Sequence, residues 1–182
     1  MRKLSGDELG RLSVAQCREL PRFPIVVVLE NIRSAYNIGS VFRSADAFFI
    51  ECVYLVGYCA TPPHKEIAKT ALGAEESVPW KQVAKADTAI RELQALGYQV
   101  LAAEQTDAST PLHRLPVLAD QKMAIVFGNE VSGVESDTLL ACNGCIEIPQ
   151  FGMKHSLNIA TAAGVVLWEL VRRHLQNQVD IS

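Results

Sequence analysis

Polar residues and glycines that could bind a ligand follow five strand-like apolar runs along the chain. They are Glu30-Asn31, Gly57, Glu104-Gln105, Gly128-Asn129-Glu130 and Pro149-Gln150-Phe151-Gly152. Glycine lets a backbone approach a ligand closely, and carboxylates and amides make directional hydrogen bonds. In open α/β sheets ligands bind beyond the carboxyl ends of the strands, so these residues are candidates for one binding site. The same residue types are equally typical of ordinary turns.

The common nucleotide-binding and hydrolase motifs are absent from the sequence. The first strand-like run is followed by Asn31-Ile32-Arg33-Ser34 rather than by GxGxxG, and no GxxxxGK[ST] occurs anywhere. Ser156 stands between His155 and Leu157 and is not part of a GxSxG elbow. The sequence therefore disfavours a Rossmann-type enzyme, a P-loop enzyme and a serine hydrolase.

The elements that must position these residues alternate between strand-like apolar runs and helix-like periodic stretches. This alternation predicts an α/β fold with a mostly parallel sheet flanked by helices. The predicted strands are residues 25–29, 52–56, 98–103, 123–127 and 145–148. Five helices are predicted. The first covers residues 5–20 and begins with a capping box at Ser5 and Glu8, the second is capped by Asn37, and the third and fourth cover residues 65–72 and 87–96. The last is capped by Ser156 and ends at about Gln176.

The last predicted helix is apolar almost all round through its first four turns. A helix of that kind cannot bury all its apolar side chains against one face of a sheet. The pattern therefore predicts a second covering surface, and we expect a homodimer.

Length and composition favour one globular domain over residues 1–182. Hydrophobic residues make up 49% of the chain and charged residues 20%, and no apolar run approaches the roughly 20 residues of a spanning helix. The first residues lack an apolar signal core, so we expect a cytoplasmic protein that does not enter a membrane. The formal net charge of −3 argues against binding nucleic acid by bulk electrostatics and leaves room for a local basic site.

The five cysteines are scattered along the chain and odd in number, which favours reduced thiols over a disulfide framework. Cys142 and Cys145 form a CxxC pair, but a tetrahedral zinc site needs two more ligands and the sequence has no second pair. We therefore predict no metal site.

Three ordered segments resemble the three motifs of the SpoU (TrmH-like) family within the SPOUT superfamily. Residues 31–48 read NIRSAYNIGSVFRSADAF, residues 125–134 read IVFGNEVSGV, and residues 146–160 read IEIPQFGMKHSLNIA. The stretch KTALGA at residues 69–74 resembles the segment between the first two motifs. Together these segments cover most of the chain.

This resemblance implies an RNA ribose 2'-O-methyltransferase that uses S-adenosylmethionine. It also implies a SPOUT-type trefoil-knotted fold, with the knot within about residues 98–176, and a homodimer. Residues 1–22 would be an N-terminal helical segment. No appended RNA-binding domain is recognisable, so RNA recognition would fall to the catalytic domain and its N-terminal segment.

The resemblance assigns roles to particular positions. The cofactor would lie against Leu101, Ala103, Glu104, Gly128, Ile148 and Leu157, and a side chain at Gly128 would intrude on the adenosine. The residues placed at the catalytic centre are Arg43, Asn37, Glu130, Ser156 and Asn158.

Each of these catalytic assignments has a simpler alternative. By helical phase alone Arg43 would be a surface residue, Asn37 and Ser156 are typical helix caps, and Glu130 could be a surface glutamate. The sequence supports no role for His155.

An arginine stays protonated at ordinary pH, so direct proton abstraction by Arg43 is chemically awkward. We expect Arg43 instead to hold the phosphate beside the target ribose, with phosphate or water relaying the proton. Transfer RNA is the favoured substrate because the chain is short. Ribosomal RNA is the alternative substrate, and a catalytically silent RNA-binding or assembly protein is the alternative function.

Overall fold

The computed structural model describes residues 1–5, 8, 10, 12–116 and 121–179. In this part of the chain seven strands form one sheet: β1 (Phe23–Glu30), β2 (Ile50–Val56), β3 (Trp80–Val83), β4 (Gln99–Ala103), β5 (Thr110–Pro111), β6 (Met123–Phe127) and β7 (Gly144–Glu147). Their order is β3-β2-β1-β6-β4-β7-β5, and every pairing is parallel. The predicted α/β fold with a mostly parallel sheet is confirmed.

The helices of the described residues cover both faces of the sheet. They are α1 (Val14–Glu19), α2 (Ala35–Ala47), α3 (Lys65–Ala71), α4 (Ala74–Ser77), α5 (Ala86–Ala95), α6 (Ser136–Ala141) and α7 (Ile159–Val179), with a 3-10 turn at Leu112–Arg114. None of these helices is both long and apolar enough to cross a membrane.

Strand β1 shows why the central strands read as continuous apolar runs. Ile25, Val27 and Leu29 belong to a core shared with α2 and α7, whereas Val26 and Val28 belong to a second core shared with α5. Both sets are buried, because a central parallel strand has helices on both faces. All five predicted strands are confirmed, and so are the helices predicted at residues 65–72 and 87–96.

Two edge strands and two short helices were missed. β3 and β5 stand at the two ends of the sheet, and neither contains a fully buried residue. Their sequences therefore lack an apolar run. The helices α4 and α6 are only 4 and 6 residues long, too short to show a helical period.

The prediction of one helix over residues 5–20 is wrong. Helix α1 begins at Val14, and its capping box is formed by Ser13 and Gln16. Gly10 has a positive φ of 59°, a conformation that interrupts a right-handed helix. Ser5 and Glu8 do exchange cap-like hydrogen bonds, with Ser5 N donating to Glu8 Oε2 at 2.7 Å. Residues 6 and 7 between them lie outside the described residues.

Candidate functional site

A cavity of about 680 Å³ opens at the carboxyl ends of β4, β6 and β7, which are neighbours in the sheet. Its walls come from the loops that follow these strands and from the start of α7. Eight of the predicted site residues line it: Ala103, Glu104, Gly128, Glu130, Ile148, Ser156, Leu157 and Asn158. Three sequence segments far apart along the chain therefore meet at one edge of the sheet.

Gly128 is needed for a reason that the sequence did not reveal. A Cβ atom there would lie 2.2 Å from the carbonyl carbon of Gly133 and 2.2 Å from the amide nitrogen of Val134. The backbone of residues 133–134 thus occupies the space of a side chain. The glycine allows the loop after β6 to fold back on the strand end, and this close approach shapes the cavity.

The loop after β6 is a preorganised turn. Asn129 and Gly133 exchange backbone hydrogen bonds of 3.0 and 2.9 Å, and Asn129 Oδ1 accepts hydrogen bonds from the amides of Val131 and Ser132. Asn129 Nδ2 donates to the carbonyl of Asn31 and to the hydroxyl of Tyr58, both at 2.8 Å. This buried side chain ties the loops after β1, β2 and β6 together.

Asn129 was predicted only as one of the polar residues that follow a strand-like run, and no role of its own was assigned to it within the second motif. Its importance comes from long-range hydrogen bonds, which leave no local pattern. Asn31, one of its partners, has a positive φ of 54°. This left-handed conformation of Asn31 at the end of β1 is a property of the folded backbone, and the sequence contains no sign of it.

Two carboxylates hold the surrounding loops. Glu104 accepts hydrogen bonds from the amides of Val134 at 3.1 Å and Gln105 at 2.9 Å. Glu30 is buried at the end of β1 and accepts from the hydroxyl of Thr138 and the amide of Glu135. Burial raises the pKa of Glu30, although these hydrogen bonds oppose the rise.

Glu130 connects the loop after β6 to the N-terminus of α2. Its carboxylate accepts hydrogen bonds from the amides of Arg33 at 3.0 Å and Ser34 at 3.2 Å, and from Asn37 Nδ2 at 2.9 Å. Burial alone would raise the pKa of Glu130, but these hydrogen bonds outweigh it and hold the pKa below its ordinary value. The carboxylate is therefore ionised at neutral pH and complements the positive end of the helix dipole.

Asn37 bridges Glu130 to Asn158. Asn37 Oδ1 accepts a hydrogen bond of 3.1 Å from Asn158 Nδ2, so three predicted catalytic residues form one connected chain. The prediction that Asn37 caps its helix is wrong, because Ser34 is the N-cap and accepts from the Asn37 amide. Since Ser34 satisfies the helix end, the Asn37 side chain is available to make the bridge.

The start of α7 differs from the prediction in the same way. Asn158 Oδ1 accepts hydrogen bonds from the amides of Ala160 and Thr161, so Asn158, not Ser156, caps the helix. Ser156 precedes the helix and is exposed at the cavity. His155 also lines the cavity, and its carbonyl accepts a hydrogen bond from Gln105 Nε2.

Arg43 lies outside the cavity. It lines a separate groove of about 480 Å³ with Ser40, Ser44, Ala47, Phe48, Lys69 and Thr70. Six helical residues separate it from Asn37, which advances the helix by about 9 Å and rotates the side chain by about 240°. Arg43 is exposed and has no hydrogen-bond or ion-pair partner among the residues that the structure describes.

Leu101 also lies away from the cavity. It is buried inside β4, and its Cδ2 atom approaches Gly144 of the neighbouring strand. Because β4 is a central strand, Leu101 packs into the sheet core beneath the cavity floor.

The cysteines are all unpaired. Burial raises the pKa of the Cys142 thiol to about 12, which makes it a poor metal ligand and a poor nucleophile at neutral pH. Among the described residues no cluster of three or more His, Cys, Asp or Glu side chains could hold a metal ion.

Comparison with known proteins decides the family. The model of the SpoU rRNA Methylase family matches residues 24–168. The chain belongs to the SpoU rRNA Methylase family. The resemblance drawn from the three motifs is thereby confirmed, and the match spans the whole edge of the sheet that forms the cavity.

Two curated relatives are named for ribosomal RNA. A 23S rRNA (guanosine-2'-O-)-methyltransferase RlmB from Neisseria meningitidis is 32% identical over 157 residues, which cover 85% of this chain and 61% of the relative. The protein of the same name from Ralstonia nicotianae is 34% identical over 152 residues, with 82% and 59% covered. The chain thus spans between 59% and 61% of the length of these relatives.

Solved structures show the same fold. The A. aeolicus TrmH/SpoU tRNA modifying enzyme is similar over 91% of this chain and 84% of that chain, with a TM-score of 0.80 and 22% identity. The AdoMet-bound rRNA methyltransferase from Sinorhizobium meliloti has a TM-score of 0.77 and 28% identity over 87% of this chain and 60% of that chain.

Proposed function

We propose that this protein transfers a methyl group from S-adenosylmethionine to a ribose 2'-hydroxyl of a structured RNA. The observation that carries the proposal is the connected chain of Glu130, Asn37 and Asn158 beside the cavity. It brings together residues from all three SpoU motifs at the rim of a cavity large enough for a nucleoside cofactor. The curated relatives named as 23S rRNA (guanosine-2'-O-)-methyltransferases support the same reaction.

The residues of the cavity fit S-adenosylmethionine. Ala103, Ile148 and Leu157 provide apolar walls for an adenosine, and Glu104, Glu130 and Glu147 give the cavity a negative character that suits a cationic sulfonium. When bound, the cofactor would supply an already activated methyl group. The solved Sinorhizobium meliloti relative is described as AdoMet-bound, which supports this choice of ligand.

The task of the protein is then chiefly to position the acceptor hydroxyl, whose proton would pass to the neighbouring phosphate or to water. The network holds the side-chain amides of Asn37 and Asn158 near the cavity rim. The exposed Ser156 lines the cavity beside them, and together these groups can orient a ribose. Glu130 is already ionised and occupied by three donors, so it orders the site. Arg43 would hold the neighbouring phosphate and stabilise developing negative charge.

A cytoplasmic homodimer would complete the site. Within one protomer Arg43 and the cavity are separate, and α7 leaves Val165 41% and Trp168 50% exposed. Trp168 lies beside the half-buried Phe48, which directly follows α2, with ring centroids 6.0 Å apart, so the apolar face of α7 continues to the end of α2. We propose that two copies pack on this face and that Arg43 of one copy serves the cavity of the other.

The choice between transfer RNA and ribosomal RNA stays a prediction. The relatives above are named for 23S ribosomal RNA, whereas the A. aeolicus structure is named for transfer RNA. The site itself would accept a ribose in either RNA, because specificity depends on the surrounding surface.

Mass spectrometric mapping of 2'-O-methyl marks tests the proposal directly. RNA from cells with and without the protein would be compared, and an Arg43→Ala strain would serve as a matched control that retains the fold. Loss of one mark in both altered strains supports the proposed reaction and names its RNA. Identical marks in all strains, together with no calorimetric binding of S-adenosylhomocysteine, would instead favour a catalytically silent RNA-binding protein.

A further inference from the structure

We propose that Lys69 binds the RNA backbone together with Arg43, in the groove between α2 and α3. This inference rests on the proposed function, since the RNA supplies the phosphates. Lys69 and Arg43 both line the groove, one from each helix. Both side chains are exposed, so both can reach a ligand.

The two helices are held unusually close at the groove. A Cβ atom on Gly39 would lie 2.1 Å from Thr70 Oγ1 and 2.3 Å from the carbonyl oxygen of Ile67. Thr70 also donates a hydrogen bond of 2.9 Å to the carbonyl of Tyr36. These contacts fix the register of α3 on α2, and Lys69, which precedes Thr70, is fixed beside the α2 surface that carries Arg43.

No ion pair among the described residues neutralises the positive charge of the groove. In the described part of the chain neither Arg43 nor Lys69 has a carboxylate partner, whereas Lys81, Arg91 and Arg173 are each in an ion pair. Lys69 Nζ lies 3.4 Å from the hydroxyl of Tyr36 and 5.7 Å from the centre of its ring. That contact orients the ammonium group while leaving its charge uncompensated.

The hydroxyl groups of the groove cannot replace these cations as anion ligands. Ser40 donates to the carbonyl of Tyr36 at 2.9 Å, Ser44 donates to the carbonyl of Ser40 at 3.2 Å, and Thr70 donates to Tyr36. Their hydrogens are therefore committed to the backbone. An anion in the groove would depend on the forked guanidinium of Arg43 and the point charge of Lys69.

An RNA strand is the occupant that this arrangement favours. A polyanion presents repeated phosphates, so two uncompensated cations on adjacent helices can contact the same strand. In the proposed dimer Arg43 of one copy serves the cavity of the other, so an RNA strand whose ribose enters that cavity would pass Arg43 and continue to Lys69 in the same groove. A carboxylate from a second copy is the competing occupant.

The test is the salt dependence of RNA binding by Lys69→Ala, with Lys69→Arg as the charge-preserving variant. Lys122→Ala is the matched control, because Lys122 is an exposed lysine that does not line the groove. It directly precedes β6 and so lies at the amino ends of the strands, whereas the cavity is at their carboxyl ends. The probes are 23S ribosomal RNA and bulk transfer RNA purified from cells that lack the protein. Affinity is measured at several salt concentrations, and methyl transfer is measured on the RNA that binds.

We expect Lys69→Ala to weaken RNA binding and to reduce the slope of log K against log salt by about 0.7–0.9, the value for one lost phosphate contact. Lys69→Arg should keep the wild-type slope, as should Lys122→Ala. In methyl transfer Lys69→Ala should raise KM with little change in kcat, because the contact is equally strong before and during the reaction.

If the wild-type protein transfers methyl groups but Lys69→Ala leaves the salt slope of RNA binding unchanged, this inference is overturned and the proposed function stands. A dimeric wild-type protein and a monomeric Lys69→Ala variant with an unchanged salt slope also overturn it. That result identifies a carboxylate of the second copy as the occupant of the groove. A wild-type protein that binds neither RNA and transfers no methyl group overturns the proposed function, and this inference with it.

Discussion

The cavity rim and the α2–α3 groove are built in opposite ways. At the rim the polar side chains satisfy one another: Glu130 accepts three hydrogen bonds, and Asn37 links it to Asn158. In the groove Arg43 and Lys69 have no carboxylate partner among the described residues. The rim is therefore preorganised within the chain itself, whereas the groove has charge available for a ligand. Preorganised dipoles are suited to orienting reactants, and free cations are suited to binding phosphate.

The largest expected effect comes from the groove. Arg43→Ala should lower methyl transfer by at least about 100-fold, because it removes a charge aimed at the developing negative charge. The affinity for S-adenosylhomocysteine, measured by calorimetry, should stay near the wild-type value, since Arg43 does not line the cavity. A variant that keeps its activity, or that loses cofactor affinity, would remove the distinction between the two regions.

The next largest effect should come from Gly128, at the part of the cavity rim proposed to bind the cofactor. Gly128→Ala places a Cβ atom 2.2 Å from the backbone of Gly133 and Val134, so the loop must move. We expect a loss of about 1–3 kcal/mol in the free energy of unfolding and at least tenfold weaker binding of S-adenosylhomocysteine. Gly152→Ala is the matched control, because nothing lies within 4 Å of a Cβ there. Equal effects of the two substitutions would contradict this account of the loop.

Mixing these two impaired variants tests whether rim and groove meet across two copies. At a limiting concentration of S-adenosylmethionine Arg43→Ala and Gly128→Ala should each be strongly impaired, yet heterodimers would contain one site with both parts intact. Random exchange of subunits would then restore up to about a quarter of wild-type activity. The measurement is methyl transfer after co-refolding or co-expression, with each variant alone as reference. No recovery in a mixture shown to contain heterodimers would mean that both parts act within one chain.

The smallest effect concerns the carboxylate that orders the rim. Glu130→Gln replaces one acceptor oxygen with a donor, so we expect a loss of about 1 kcal/mol in stability and a few-fold loss in methyl transfer. Hydrogen bonds hold the pKa of Glu130 below its ordinary value of 4.5. Its contribution is thus present above that value and is lost as the pH falls through the lower folded-state pKa.

The stability difference between wild type and Glu130→Gln should accordingly shrink below about pH 4. Urea unfolding at several pH values would measure it. Glu76→Gln, at an exposed position of α4, is the matched control and should show no such trend. A difference that stays constant into acid would show that Glu130 acts through shape rather than charge.

Two errors in the predicted helix starts have one physical cause. Asn37 and Ser156 were predicted as caps, but Ser34 and Asn158 perform that role. Each helix is preceded by more than one residue able to cap, so local preference could not select among them. Tertiary contacts made the selection: Asn37 is drawn to Glu130 and Asn158, while Ser156 is left at the cavity. The predicted knot stays a prediction, since strand order alone does not define the path of the connecting loops.

By itself the sequence determined the family and the parallel sheet, and eight of the eleven predicted site residues line the cavity. Central strands buried on both faces must be apolar throughout, and polar residues at their carboxyl ends must share one edge. Only the tertiary structure decided that Arg43 lies in a groove apart from the cavity and beside Lys69, and that Asn129 joins three loops. These relations depend on how helices and loops distant in sequence pack together. Sequence periodicity predicts local secondary structure and contains no information on such contacts.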